Sequence, residues 1–185
     1  MQSSGRTRVL HEDVIGRRWQ DINSGAVALI GASAPALTNV AGGLYLEAFS
    51  GTGPSEQVFG SFEVLHDYKE GTDLWPHIHW LPLDSTAGDV KWNLEYSIAR
   101  MGQALTAPAF LSGTQAAGGS ANVLRTIETS TPIPGTGMKI GDQVIWRLFR
   151  NSGDVADTYA GLAAIVSFGV HYEVDDIGSN NKTSN

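Results

Sequence analysis

The chain has no cysteine among its 185 residues, which excludes disulfides, thiolate metal sites and a cysteine nucleophile together. It also has no apolar run approaching the roughly 20 residues that a membrane-spanning helix requires, so no membrane partner is expected. Charged residues are scarce at 17%. The opening MQSSGRTRVLHED carries charges where a signal peptide needs an apolar stretch, so no secretory targeting is expected. Helical periodicity is missing throughout, and no internal repeat of fixed period occurs. A cysteine-free chain that works outside a cell needs stability from elsewhere, and self-association is the usual source.

Lysine and arginine number 12 against 19 acidic residues, for a net charge of −7. Phosphate contacts demand clustered cations, so no direct nucleic-acid partner is expected. The cations are unevenly placed. Arg6, Arg8, Arg17 and Arg18 crowd the start, opposed there by Glu12 and Asp13, while Glu173, Asp175 and Asp176 make the far end acidic. A basic arm on an acidic body suits docking to an acidic protein surface; the plainer reading is a solvated tail.

What is present is a β pattern. Val90, Trp92, Leu94, Tyr96 and Ile98 alternate with Lys91, Asn93, Glu95 and Ser97, a period of two with one face in a core. Val166, Phe168, Val170, Tyr172 and Val174 repeat it, which points Ser167, Gly169, His171 and Glu173 outward. Weaker strands are expected at 26–30, 44–49, 57–66, 76–81, 123–129 and 143–150, separated by turns such as Ser85-Thr-Ala-Gly88 and Pro134-Gly-Thr-Gly137. Eight strands spaced this way predict an all-β, two-sheet sandwich of jelly-roll type. Residues 1–24 read as an extended N-terminal arm, 25–178 as the β-domain and 179–185 as a disordered tail. Residues 101–122, rich in Gly, Ala and Ser, read as a long connection whose Phe110 and Leu111 pack on something.

Chemistry-bearing motifs are few. In Pro76-His-Ile-His-Trp80, the strand period puts His77 and His79 on one face with Ile78 and Trp80 on the other. An HxH strand in a jelly roll is similar to the cupins, but such a site needs further ligands, and the nearest acid downstream, Asp84, lies beyond a turn. No metal and no cofactor are therefore expected, and the two histidines are assigned to hydrogen bonding or a subunit contact. His66 with Asp67 or Asp73 lacks a nucleophile, and GxSxG and HExxH are absent. Asp67, Glu70 and Asp73 lack the spacing of a calcium loop and read as a polar hairpin. Of the five tryptophans, Trp80, Trp92 and Trp146 lie in strand patterns, whereas Trp19 and Trp75 do not, which leaves these two for a carbohydrate-binding face.

The run at 61–80, containing HDYKEGTDLWPHIHW, is followed by Val90-Lys-Trp-Asn-Leu-Glu-Tyr96 and Phe168-Gly-Val-His-Tyr172. Together they resemble a family of small structural proteins of tailed bacteriophages, over about residues 57–178. The resemblance implies a jelly-roll virion component without enzymatic activity, made in the host cytoplasm. It would decorate or cement the capsid, or sit at the collar or tail as an adaptor or fibre anchor. Its expected partners are copies of itself, with a trimer favoured by analogy, and the major capsid protein or another virion protein. The partner-binding residues assigned on this basis are Arg6, Arg8, Arg17, Arg18, Trp19, His77, His79, Phe110 and Leu111. A carbohydrate-binding module and a cupin-type metalloenzyme are the readings from other classes.

Overall fold

A computed structural model describes residues 18–25, 27–28, 33–53 and 56–174. Eleven strands follow in order: β1 Arg18–Ser24, β2 Val27–Ala28, β3 Ala36–Ala41, β4 Leu44–Phe49, β5 Gln57–Glu63, β6 Trp75–Pro82, β7 Asp89–Ala99, β8 Ala109–Ala116, β9 Arg125–Glu128, β10 Gln143–Arg150 and β11 Ala163–Val174. No helix occurs among the described residues.

The strands form two antiparallel sheets. One has the order β3-β4-β11-β6-β9 with β1 also on β11; the other has the order β2-β5-β10-β7-β8. The sheets meet through aromatic side chains from both. Trp80 of β6 lies edge-on to Trp92 of β7 at 6.2 Å, Phe49 of β4 meets Trp92 at 5.1 Å, and Trp146 of β10 meets Phe168 of β11 at 4.5 Å. Aromatics bury large areas, and two of the indole N–H groups find partners, Trp80 on Gln115 Oε1 and Trp146 on Ser24 Oγ. This is the predicted all-β sandwich.

Strand β7 follows its alternation, with Val90, Trp92, Leu94, Tyr96 and Ile98 all buried. Strand β11 departs from its pattern at one point. Its pairing with β6 shifts between Ile165 and Ser167, so Val166 bulges out and is 44% exposed, while Ile165 and Phe168 are buried. A bulge adds one residue against the partner and resets which side chains face inward.

Three segments are strands where none was expected, one of them β3, which pairs with β4 as a hairpin. Residues 18–24, assigned to the arm, form β1, paired with β11 from Arg18↔Val174 to Ser24↔Phe168. Its anchor is Ile22, buried in the core. Residues 1–17 of the expected arm and 175–185, which include the expected tail, lie outside the described residues. Within the expected long connection, residues 109–116 form β8 along the edge of β7. Leu111 enters the core there, and Phe110, one residue earlier, points out of it at 62% exposure.

Candidate binding groove and histidine cluster

Four neighbouring strands, β1, β11, β6 and β9, carry the site on the outer face of their sheet. Register places the side chains. Asp21 stands opposite His171, and His171 opposite Trp75; Asn23, Gly169, His77 and Glu128 form the next row. Trp19 stands opposite Glu173. On β1 the buried Ile22 faces the core, which turns Trp19 and Asp21 outward; on β6, Ile78 and Trp80 face the core and turn Trp75, His77 and His79 the same way.

A groove of about 610 Å³ opens on this face, lined by Trp19, Gly71, Thr72, Asp73, Trp75, Glu128, His171 and Glu173. Its loop wall, residues 71–73, is tightly held. Tyr68 donates a hydrogen bond to the Thr72 carbonyl, Thr72 Oγ1 donates to Lys69 O at 2.7 Å, and the Gly135 N–H donates to Asp73 Oδ1 at 2.9 Å. Leu74 bridges to Ile133 just beyond. Gly135 is needed for this approach, because a Cβ there would lie 1.8 Å from the Thr72 carbonyl oxygen. The wall is therefore preformed, which favours binding by limiting the ordering cost.

Beside the groove lies a cluster of three potential ligands. One donor atom each from Asp21, His77 and His171 fall within 4.8 Å of one another, the one such group among the described residues. His77 Nε2 is 3.5 Å from Asp21 Oδ2, and the His77 and His171 rings stack with centroids 4.1 Å apart. His77 is 1% exposed, and neither of its nitrogens makes a hydrogen bond of good geometry. Burial lowers the His77 pKa, and His171 and His79 push it further down against the opposing pull of Asp21 and of a hydrogen bond to the Trp75 backbone. His79 meets His77 edge-on at 5.0 Å and shares a 3.0 Å hydrogen bond with Ser167 Oγ, outside the cluster.

The residues singled out from sequence are thus dispersed. Arg6, Arg8 and Arg17 lie outside the described residues. Arg18 is exposed at the start of β1, and Trp19, 44% exposed, is a groove wall. His77 cannot serve as a contact surface, because His171 and Asp21 cover it. Leu111 fills this chain's own core, which leaves Phe110 as the exposed member of that pair. His66 and Asp67 stay outside the groove, and Asp67 accepts a hydrogen bond from Tyr172 instead. The residues that stand against His77, Asp21 and His171, come from β1 and β11, strands that pairing alone brings together.

No protein-family model matches the chain, and no curated protein does. Among solved structures, it is similar to dimeric latent PorU from Porphyromonas gingivalis at TM-score 0.37 and 14% identity, covering 85% of this chain and 13% of that one. It is also similar to the CBM22-2 xylan-binding domain of Paenibacillus barcinonensis Xyn10C at TM-score 0.30 and 18% identity, covering 70% of this chain and 83% of that one. Both likenesses are too remote to bear on topology or function.

Proposed function

We propose that this chain is a binding β-sandwich whose ligand is a neutral saccharide held in the groove between Trp19 and Trp75. The observation that carries the reading is the groove's lining: two indoles with Asp73, Glu128, Glu173 and His171 around a preformed wall. Sugar rings present apolar C–H faces that pack on aromatic rings, and their hydroxyls donate to carboxylates. Three carboxylates disfavour a phosphate or another anionic ligand, as does the net charge of −7. The role is to bind rather than to react. Thr72 Oγ1 and Asp73 Oδ1 are both engaged by backbone groups, which fits a structural wall rather than a reacting pair.

The test is a glycan array followed by titration calorimetry with the neutral oligosaccharides it selects. Binding should be lost in Trp75→Ala and in Trp19→Ala, each with its circular dichroism spectrum retained. An array at background, with no quenching of tryptophan fluorescence by any neutral oligosaccharide, would remove the reading.

A second reading concerns assembly, and the hairpin β3–β4 favours it. Leu37, Leu44 and Tyr45 are 69%, 68% and 55% exposed there, at the edge of the six-stranded sheet. By register Leu37 and Tyr45 lie on one face of this hairpin and Leu44 on the other, and exposed apolar side chains in such number mark interaction surfaces. They suit a subunit of a larger particle, such as a jelly-roll decoration or tail-associated protein of a phage virion, and such a part can also carry a saccharide groove.

A further inference from the structure

We propose that Asp21, His77 and His171 bind one divalent transition-metal ion, of the class of zinc, at the floor of the sheet face beside the groove. The proposal does not rest on saccharide binding, although His171 belongs to both sites. Three observations carry it.

The first is the donor set. Two imidazoles and one carboxylate suit zinc and its neighbours in the first transition row, whereas calcium and magnesium prefer all-oxygen sites. The three ligands come from paired strands, with Asp21 directly opposite His171, and His77 opposite Gly169 two residues earlier on β11. Sites on rigid elements hold their geometry better than sites on loops.

The second is His77 itself. It is 1% exposed, and neither nitrogen makes a hydrogen bond of ordinary geometry, its polar neighbours being the Asp21 carboxylate at 3.5 Å and the Trp75 backbone. Native proteins rarely leave a buried polar side chain in that state, and a bound ion is one of the few explanations. His79, fixed on Ser167 Oγ and edge-on to His77, holds the His77 ring in place without joining the set.

The third is the space. Gly169 sits beneath the cluster, and a Cβ there would lie 2.6 Å from His77 Nε2 and 2.9 Å from Asp21 Oδ1. Any other residue would occupy the place between the two donors. Adjacent donors around a tetrahedral zinc ion stand about 3.4 Å apart. Asp21 Oδ2 and His77 Nε2, at 3.5 Å, already match. The donor atoms span up to 4.8 Å, so His171 must approach by on the order of an ångström and turn out of its stack on His77. It is half-buried, with its outer side on the groove, while the 37% exposed side chain of Asp21 leaves the remaining coordination positions open to water.

The experiment uses the full chain without an affinity tag, stripped with chelator and titrated with Co²⁺ by absorption and with Zn²⁺ by calorimetry. One ion per chain is expected, with the ligand-field bands of a nitrogen–oxygen site and a raised melting temperature. Asp21→Asn and His171→Gln should each weaken uptake while melting like the metal-free wild type, and Gly169→Ala should abolish it. His66→Gln, outside the cluster, should bind as wild type does. His77→Gln should lose uptake as well; should it fail to fold, the Asp21 and His171 variants decide alone. No saturable uptake by the wild type, or uptake unchanged in both of those variants, overturns the proposal. Loss of saccharide binding in Trp75→Ala with metal uptake intact would keep the two sites distinct.

Discussion

Arg150 and Asp157 meet as a two-pronged ion pair with both side chains fully buried, Nη2 standing 2.7 Å from Oδ1 and Nε 2.9 Å from Oδ2. Arg150 Nη1 also donates to the carbonyls of Phe49 and Gly161, and Nη2 to that of Tyr159. Asp157 in turn accepts the backbone N–H of Lys91. One guanidinium therefore ties the end of β10 to β4 and to the 157–161 segment that leads into β11.

Breaking that pair from one side leaves a buried charge without its counter-ion, which costs far more than the pair contributes as a whole. Asp157→Ala should destabilise the fold by about 3–5 kcal/mol. Urea unfolding followed by tryptophan fluorescence checks this. A loss below about 1 kcal/mol, typical of an exposed pair, would show that water reaches Arg150.

Gly135→Ala tests whether the groove wall is preformed. The added Cβ would meet the Thr72 carbonyl at 1.8 Å, and every atom it crowds in Thr72 and Gly71 is backbone, so the segments must part. Overpacking of this kind costs about 1–3 kcal/mol. The variant should also lose affinity for whichever oligosaccharide the array selects, since Thr72 and Asp73 move with the wall. Gly43→Ala, where an added Cβ meets nothing within 4 Å, is the matched control and should be silent in both assays.

Much of the fold could be read from sequence, and the failures have physical causes. Strand β7 was legible because its large apolar residues alternate without interruption. Strand β8 was not, because on its inward face Ala109, Gly113 and Gln115 flank Leu111, its one fully buried side chain, and a sheet-edge strand needs little more. Strand β1 was hidden for the same reason, with Ile22 its sole buried side chain. Part of the site could also be read. Trp19 and Trp75 stood out by lying outside the strand patterns, and His77 and His79 by their spacing. The partners of His77 could not be found that way. Asp21 and His171 are 56 and 94 positions from His77 in the numbering, and only the β1–β11–β6 register brings them to it. One strand period correctly turned His77 to the outer face, but alternation says nothing of what covers that face.

Alkaline pH should unfold the protein through its buried tyrosines. Burial raises the pKa of Tyr68, Tyr96, Tyr159 and Tyr172, and Tyr172 rises most because its hydroxyl also donates to Asp67. The unfolded chain loses its phenolic protons near pH 10, while the native state keeps them to higher pH. Above about pH 10 the unfolded state therefore binds fewer protons, and stability falls as pH rises. Below that value these groups contribute no slope. Melting curves across the alkaline range should show this fall, and Tyr172→Phe should make it shallower. An equally steep limb in Tyr172→Phe would clear Tyr172 of any part in it.

The β3–β4 hairpin should mediate self-association. Leu37 and Leu44 are more than two-thirds exposed on an edge hairpin whose turn is pinned by Asn39 Nδ2 donating to the Gly42 carbonyl at 2.6 Å. A rigid apolar projection of this kind loses little conformational entropy when covered, so association gains most of the buried area. An exposed edge strand is otherwise a liability that proteins blunt with charge, and Leu37 and Leu44 do the opposite. Light scattering at micromolar concentration should give about three times the chain mass of 19.7 kDa, three being the number favoured by analogy with capsid-decorating proteins. Leu37→Lys with Leu44→Lys should return a single-chain mass with an unchanged melting temperature at high dilution, since neither side chain belongs to the core. Deleting residues 1–24 is the wrong way to probe assembly, because it removes β1 from the edge of β11 and exposes the core around Ile22. A wild-type chain that scatters as a monomer would leave the hairpin without a partner of its own kind, and a trimer that survives both lysines would place the contact on another surface.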